Sequence, residues 1–298
     1  MIGENENFGG TWPFAPHYFS GNRFRMHYVD EGQGEPIVCL HGEPTWGYLY
    51  RRFIPPLSQT HRVIVPDHMG FGKSETPRDR QYSLKPHVEN LTGLIAALDL
   101  KNVTLVMQDW GGLIGAAYAL RNPDRIKRLF FLNTLSGYGR IPFVKTTQWF
   151  SFIKKHHDAN TLHEVLGNLD ANVLSIMKII GFENSATVDK NWIAAYSAPF
   201  PTKEDCVGAI EFPLDALLGR VAPYIQEGFP LLKNLQAKPA MLTVGMKDTA
   251  IAPETQIADF QAVWPGRPII KLPNAGHFSQ EDEPDTIIAL IQQFIQST

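Results

Sequence analysis

Cysteine is nearly missing from this chain: Cys39 and Cys206 are the only two in 298 residues, which excludes a disulfide scaffold. Cys39, inside Ile37-Val38-Cys39-Leu40, reads as a small core hydrophobe. An excess of one charge is missing too. The 27 Lys and Arg against 30 Asp and Glu leave a net charge of -3, so nothing argues electrostatically for nucleic acid or an anionic membrane as partner. No stretch reaches the roughly 18 apolar residues of a membrane span. Residues 1–10 are acidic and polar, without the basic flank and apolar run of a secretory signal, and a cytoplasmic location is expected. Internal repeats, low-complexity tracts and flexible linkers are absent. What remains, 44% hydrophobic and 19% charged, is an ordinary globular composition with ample core.

The pattern along the chain alternates strands and helices. Two strands, Tyr18-Phe19 and residues 24–29, flank a Gly21-Asn22 turn. Residues 36–40 and 61–65 are apolar at almost every position, which suits parallel strands buried on both faces. Between them, residues 48–57 fit a short helix ended or bent near Pro55-Pro56. Leu84, Val88, Leu91, Leu94, Ile95 and Leu98 recur every three or four residues and predict an amphipathic helix. A strand at 103–108, a helix over 113–120 and a strand over 128–133 follow. This alternation implies a mostly parallel sheet with right-handed crossovers.

The rhythm breaks after Asn133. Residues 134–220 show helical patches at 144–155, 162–169, 173–180 and 189–196, with Phe143, Trp149, Phe150, Phe152, Phe182 and Trp192 among them. They read as a helical cap inserted between two parts of a sheet domain, 1–133 and 221–298. Strands at 240–244 and 269–272 and helices at 253–264 and 286–295 complete the second part.

One stretch organises the rest. The strand at 103–108 ends in Asp109 and passes at once into Trp110-Gly111-Gly112 and a small-residue helix. This is the strand, sharp turn, helix grammar of a nucleophile elbow, with aspartate in the nucleophile slot and Met107 where the first glycine usually stands. A carboxylate there points to attack on carbon and a covalent ester. Two further strand ends supply partners. Asp248 follows residues 240–244 and His277 follows residues 269–272, giving the chain order nucleophile, acid, histidine of the α/β-hydrolase fold. The loop after residues 36–40, His41-Gly42-Glu43-Pro44, is the one that offers an oxyanion a backbone N–H. The second N–H comes from the residue after the nucleophile, so Glu43 and Trp110 are the expected oxyanion hole.

His41-Gly42-Glu43-Pro44-Thr45-Trp46, Gln108-Asp109-Trp110-Gly111-Gly112, Gly245-Met246-Lys247-Asp248 and Gly276-His277-Phe278 together resemble the haloalkane dehalogenases. The likeness runs over nearly the whole chain, including Ala195-Tyr196-Ser197-Ala198-Pro199-Phe200-Pro201 in the cap. It is strongest to the branch whose acid follows the later strand. Related branches place a carboxylate after the strand that here ends in Asn133, and asparagine cannot play that part.

The resemblance implies cofactor-free and metal-free hydrolysis of a small apolar halogenated substrate, with water as co-substrate and halide as product. Asp109 would displace halide, and His277, oriented by Asp248, would activate water on the resulting ester. Trp110 is the implied first halide donor. The family takes its second donor from an asparagine in the His-Gly loop, here replaced by Glu43, or from a cap tryptophan. A gapless reading of the cap puts His163 at that place, with Trp149 and Trp192 as the other candidates. An epoxide hydrolase would share the triad but needs cap phenols, for which Tyr138 and Tyr196 are the candidates. A lactone-processing relative and a catalytically silent binding protein complete the alternatives.

Three other features are expected to be structural. Gly72-Lys73-Ser74 ends like a phosphate loop, but Asp67 stands where its first glycine must be and reads as ordering its own turn. His156, His157 and His163 lack the spacing of a zinc site. Glu281, Asp282, Glu283 and Asp285 read as acidic residues at the start of the last helix.

Overall fold

The computed structural model describes residues 2–21, 23–141 and 146–298. Asn22, Phe143 and Val144, which enter the readings above, lie outside them.

Eight strands form one sheet in the order β1-β2-β4-β3-β5-β6-β7-β8. β1 (His17–Gly21) and β2 (Phe24–Glu31) make an antiparallel hairpin, with His17 opposite Tyr28. β2 lies antiparallel on β4 (Arg62–Pro66); every later pairing is parallel. β3 (Pro36–Leu40), β5 (Val103–Gln108) and β7 (Ala240–Gly245) are buried at every position. Their largely apolar runs are what a strand covered on both faces requires. β6 (Ile126–Leu132) and β8 (Ile269–Leu272) complete the sheet.

The chain runs from β3 outward to β4 and then returns to the other side of β3 as β5. Order therefore reverses at β3, and a crevice opens beyond the carboxyl ends of β3 and β5, where such sheets place their ligands. The loops carrying Glu43 and Asp109 leave the sheet there.

The helices between strands follow the sequence pattern with one instructive difference. Residues 47–50 form a 3-10 turn, and α1 spans Ile54–Ser58 with Pro55-Pro56 in its first turn. The prolines begin this helix rather than end it, because the first turn needs no N–H donors. α2 (Leu84–Ala97) buries Leu84, Val88, Leu91, Leu94 and Ile95, the predicted stripe. α3 (Trp110–Arg121) is buried along nearly its whole length.

Between β6 and β7 lie α4 (Gln148–Asp158), α5 (Leu162–Val165), α6 (Leu169–Ile180), α7 (Lys190–Ser197), α8 (Val207–Leu217), α9 (Ala222–Gly228) and α10 (Leu232–Gln236). α4 and α7 are capped by Thr147 and Asp189, whose side chains accept the N–H of Phe150 and Trp192. α8, α9 and α10 have no counterpart in the sequence pattern; α8 carries Pro213 in its interior, which argues against a helix. α11 (Pro253–Val263), α12 (Ser279–Asp282) and α13 (Pro284–Ser297) belong to the sheet domain, and α13 buries Ile287, Ile288, Ile291, Phe294 and Ile295.

The helical insertion is tied to the sheet domain by buried polar contacts. Trp46 Nε1 donates to the Ala195 carbonyl at 2.8 Å. The Glu281 carboxylate, fully buried, accepts Arg51 Nη2 at 2.9 Å and the Tyr196 hydroxyl at 2.5 Å. Asp282 accepts the backbone N–H groups of Gly276, Glu183 and Asn184. Of the four acidic residues expected at the start of the last helix, Glu281 and Asp282 instead close the separate α12 and serve as fasteners between regions, while Glu283 and Asp285 do stand at the start of α13. Asp67 does order its turn, accepting the N–H of Gly47 and of Lys73 at 2.8 Å each, with His27 Nδ1 also at 2.8 Å. Among the described residues no helix is long and apolar enough to cross a membrane, and no group of His, Cys, Asp and Glu is set to hold a metal.

Candidate active site

Asp109 sits between β5 and α3 with φ 49° and ψ -123°, a backbone conformation that a side chain bearing a Cβ rarely adopts. Such strain is characteristic of an elbow that thrusts one side chain off the sheet edge. The glycines around it have steric reasons. A Cβ on Gly111 would lie 2.4 Å from the Leu40 carbonyl oxygen, and one on Gly42 would lie 2.2 Å from Asp109 Oδ2. The Thr134 hydroxyl, from the end of β6, donates to the Asp109 carbonyl and fastens the turn.

The Asp109 carboxylate is held from two sides. The Glu43 backbone N–H donates to Oδ2 at 2.9 Å, and His277 Nε2 stands 3.5 Å from Oδ1. His277 itself is buried, its backbone N–H fixed to the Gly181 carbonyl at 2.7 Å, and its Nδ1 lies 2.9 Å from Asp248 Oδ2. Burial alone would depress this imidazole, but the carboxylates of Asp248 and Asp109 outweigh it and lift the pKa to about 10.

Asp248 is held still more fully. Its Oδ1 accepts the N–H groups of Ala250 (2.8 Å) and Ile251 (2.9 Å). Its Oδ2 takes Asn133 Nδ2 (2.9 Å) and Gln256 Nε2 (2.8 Å) besides His277. Asn133 and Gln256 therefore position the acid, a role that residue spacing did not reveal. Asn133 occupies the strand end where a second carboxylate would repel Asp248, and offers an amide donor instead.

A small cavity, about 40 Å³, opens over Asp109. Glu43, Asp109, Trp110, Thr134 and His277 form its polar floor, and Leu113, Leu135, Phe150, Ile180, Pro213 and Ile251 are among its apolar walls. Trp110 faces it while its ring stacks on Phe212, centroids 4.4 Å apart. Trp149, at the start of α4, also lines it, with its ring stacked on Phe152.

The other two donor candidates are elsewhere. His163 is exposed and borders a separate surface depression with Arg78, Tyr82 and Lys203. In the single turn of α5, Leu162 is buried and His163 is on the outside. Trp192 is buried against Phe182 and Tyr196, away from the cavity wall. Neither Tyr138 nor Tyr196 lines the cavity; the Tyr196 hydroxyl is engaged with Glu281, and Arg121 Nη1 donates to that of Tyr138 at 3.4 Å.

Glu43 is the unusual member. It is buried, its Oε1 has no hydrogen-bond partner, and burial together with the nearby Asp109 charge holds its carboxyl well above the usual range.

Residues 35–284 match the family model of the alpha/beta hydrolase fold. The chain is 33% identical over 293 residues to the cis-3-alkyl-4-alkyloxetan-2-one decarboxylase of Shewanella oneidensis, covering 96% of this chain and 90% of that protein. It is 32% identical over 295 residues to haloalkane dehalogenase 2 of Mycobacterium tuberculosis, covering 94% of each. The solved tetrameric haloalkane dehalogenase DpaA from Paraglaciecola agarilytica NO2 superposes with a TM-score of 0.79 at 32% identity, over 97% of this chain and 94% of that one. With its fold, its site geometry and relatives of this identity over nearly its full length, the chain belongs to the haloalkane dehalogenase family of the α/β-hydrolase fold.

Proposed function

We propose that the protein hydrolyses haloalkanes to alcohol and halide through an alkyl ester on Asp109. The observation that carries this reading is a carboxylate at a strained strand end, 3.5 Å from a histidine paired with Asp248, beneath an apolar cavity bordered by two indoles. An aspartate in that position attacks an sp³ carbon in line, and the carbon–halide bond breaks with its electron pair on the halide. No proton is needed for departure, only N–H donors in a poorly hydrated pocket. Trp110 and Trp149 are assigned that work.

Turnover then requires His277 as a base, yet beside two carboxylates the imidazole holds a proton. Esterification resolves this. Once Asp109 is alkylated its charge is gone, one of the two lifting influences disappears, and the histidine becomes easier to deprotonate. Neutral His277 takes a proton from water, the hydroxide attacks the ester carbonyl, and the N–H groups of Glu43 and Trp110 hold the oxyanion; its collapse breaks the bond to the alkoxide, which takes the proton back from His277 and leaves as alcohol, restoring Asp109. In this reading residues 134–220 act as the cap, its end falling between α8 and α9, with 1–133 and 221–298 as the core.

A second reading has its own support. The relative from Shewanella oneidensis acts, by its name, on an alkyl-substituted oxetanone, and the same carboxylate beneath an apolar cavity suits a strained lactone. An epoxide hydrolase is disfavoured, since no tyrosine borders the cavity among the described residues.

Incubation with a terminal bromoalkane and, separately, with a dialkyl oxetanone separates the readings. Stoichiometric bromide and alcohol support the first. Carbon dioxide from the oxetanone without bromide release supports the second, and neither product would favour the silent binding protein.

A further inference from the structure

The Glu43 N–H belongs to a peptide that its neighbour does little to stiffen. Gly42 has no Cβ to limit rotation, so the plane joining Gly42 to Glu43 needs an outside hold. A trans peptide is rigid, and its C=O and N–H point in opposite directions. Whatever fixes the Gly42 carbonyl therefore aims the Glu43 N–H, which donates to Asp109 Oδ2 at 2.9 Å. Three donors converge on that carbonyl: His41 Nδ1 at 2.8 Å, the Thr45 hydroxyl at 3.0 Å and the Thr45 N–H at 3.2 Å.

His41 is itself held by His68, in the loop after β4. The His68 backbone N–H donates to His41 Nε2 at 2.9 Å, and His68 Nε2 stands 3.0 Å from the His41 carbonyl oxygen. A carbonyl can only accept, so Nε2 of His68 carries a proton. By the same logic His41 Nε2 presents its lone pair, and Nδ1 carries the proton that meets Gly42. Both rings are buried, their centroids 4.4 Å apart, and burial holds both below the ordinary histidine range. Neither lines the cavity. Two uncharged rings thus clamp the peptide from behind without touching what the cavity holds.

We propose that His41 and His68 are positioning residues for the second half of the reaction, aiming the Glu43 N–H at the oxyanion of ester hydrolysis. This role rests on the alkyl-ester reading and deepens it. Alkylation drains charge from Asp109 toward the halide, so a well-aimed Glu43 N–H does nothing to speed that step. Hydrolysis gathers charge on the carbonyl oxygen of the same side chain, where one donor is worth about 10²–10³-fold in rate. Hydrogen bonds to the Gly42 carbonyl also polarise the peptide and strengthen its N–H as a donor. Loosening the clamp should therefore slow hydrolysis and spare alkylation.

Rapid-quench single turnovers of the full chain with a terminal bromoalkane separate the steps, since bromide reports alkylation and alcohol reports hydrolysis. In His41→Leu hydrolysis should slow about thirtyfold while the bromide burst stays within about threefold, so that alkylated enzyme accumulates and is visible by mass. His41→Asn keeps an N–H near the place of Nδ1 and should recover most of that loss. His68→Leu should slow the same step about tenfold, and His68→Gln, whose amide can still reach the His41 carbonyl, should restore it. Thr45→Val removes one donor from the Gly42 carbonyl with little change of shape, and covers the case in which a histidine variant fails to fold. It should slow hydrolysis about threefold to tenfold, again with the burst retained. Equal slowing of both steps, wild-type hydrolysis in folded His41→Leu or Thr45→Val, or no rescue by the amide variants would overturn the proposal. Wild type that releases no bromide would instead remove the alkyl-ester reading, and this inference with it.

Discussion

The sheet edge and the helical insertion both border the cavity, but they are built in opposite ways. At the edge a dense polar network holds the acidic side chain: the Asp248 carboxylate alone accepts from Ala250, Ile251, Asn133, Gln256 and His277. From the insertion come one indole and a set of apolar side chains with no such network. Strand ends are rigid and suit groups whose chemistry depends on fractions of an ångström. Helices laid over them shape and dry the space, and their contribution is decided by which side chain happens to face inward.

That contrast sets the scale of each expected effect. Asp109→Asn strikes the edge at its reacting atom and should lower bromide release on the order of 10⁴-fold with folding intact, read by steady-state kinetics and circular dichroism. Arg51→Met strikes the ion pair on the sheet side of the Glu281–Tyr196 fastening. It leaves the buried Glu281 carboxylate without its counter-charge, so unfolding by urea should show a loss of about 3–5 kcal/mol. Trp149→Phe touches the insertion's only expected chemical contribution; kcat should drop about 10²-fold, with the bromide dissociation constant rising. A milder loss than that of a packing change would move the second donor elsewhere.

A subtler effect is the dependence of stability on pH. The folded state holds the His277 proton more tightly than the unfolded chain does, with a pKa of about 10 against the ordinary 6.5. Its contribution is therefore complete below pH 6.5 and declines as pH rises, vanishing above about 10. The stability advantage of wild type over His277→Gln should narrow across that window, as measured by denaturant unfolding. His163→Ala is placed last: exposed and outside the cavity, it should leave both rate and bromide affinity within about twofold of wild type.

The same contrast explains how much could be read from the amino acids alone. Asp109, Asp248 and His277 are legible because each follows a strand of the parallel part of the sheet, and such strand ends converge whatever the intervening distance. The inner strands β3 to β7 show as apolar runs for the same reason, and the hairpin of β1 and β2 shows by its turn. Asn133 and Gln256 were not legible as supports, since their roles depend on contacts across 115 and 8 residues with nothing local to mark them. In the insertion the pattern located four helical patches but not which face of each meets the cavity. Counting without gaps pointed to His163, whereas the wall is made by Trp149 from the preceding helix. Pro213 concealed α8 because an interior proline argues against a helix, and here it forms part of the cavity wall. Glu43 was read for its backbone only; that its side chain would end up buried without a partner depends on tertiary packing.

The central claim is that Asp109 becomes bonded to the substrate carbon in each cycle, so its own oxygen leaves in the alcohol. A single turnover with limiting bromoalkane in oxygen-18 water, followed by digestion and mass analysis, reads this directly. The account predicts one heavy oxygen in the peptide carrying Asp109 and ordinary oxygen in the alcohol. Heavy oxygen in the alcohol with an unlabelled peptide would mean that water attacks the substrate itself, and would contradict it.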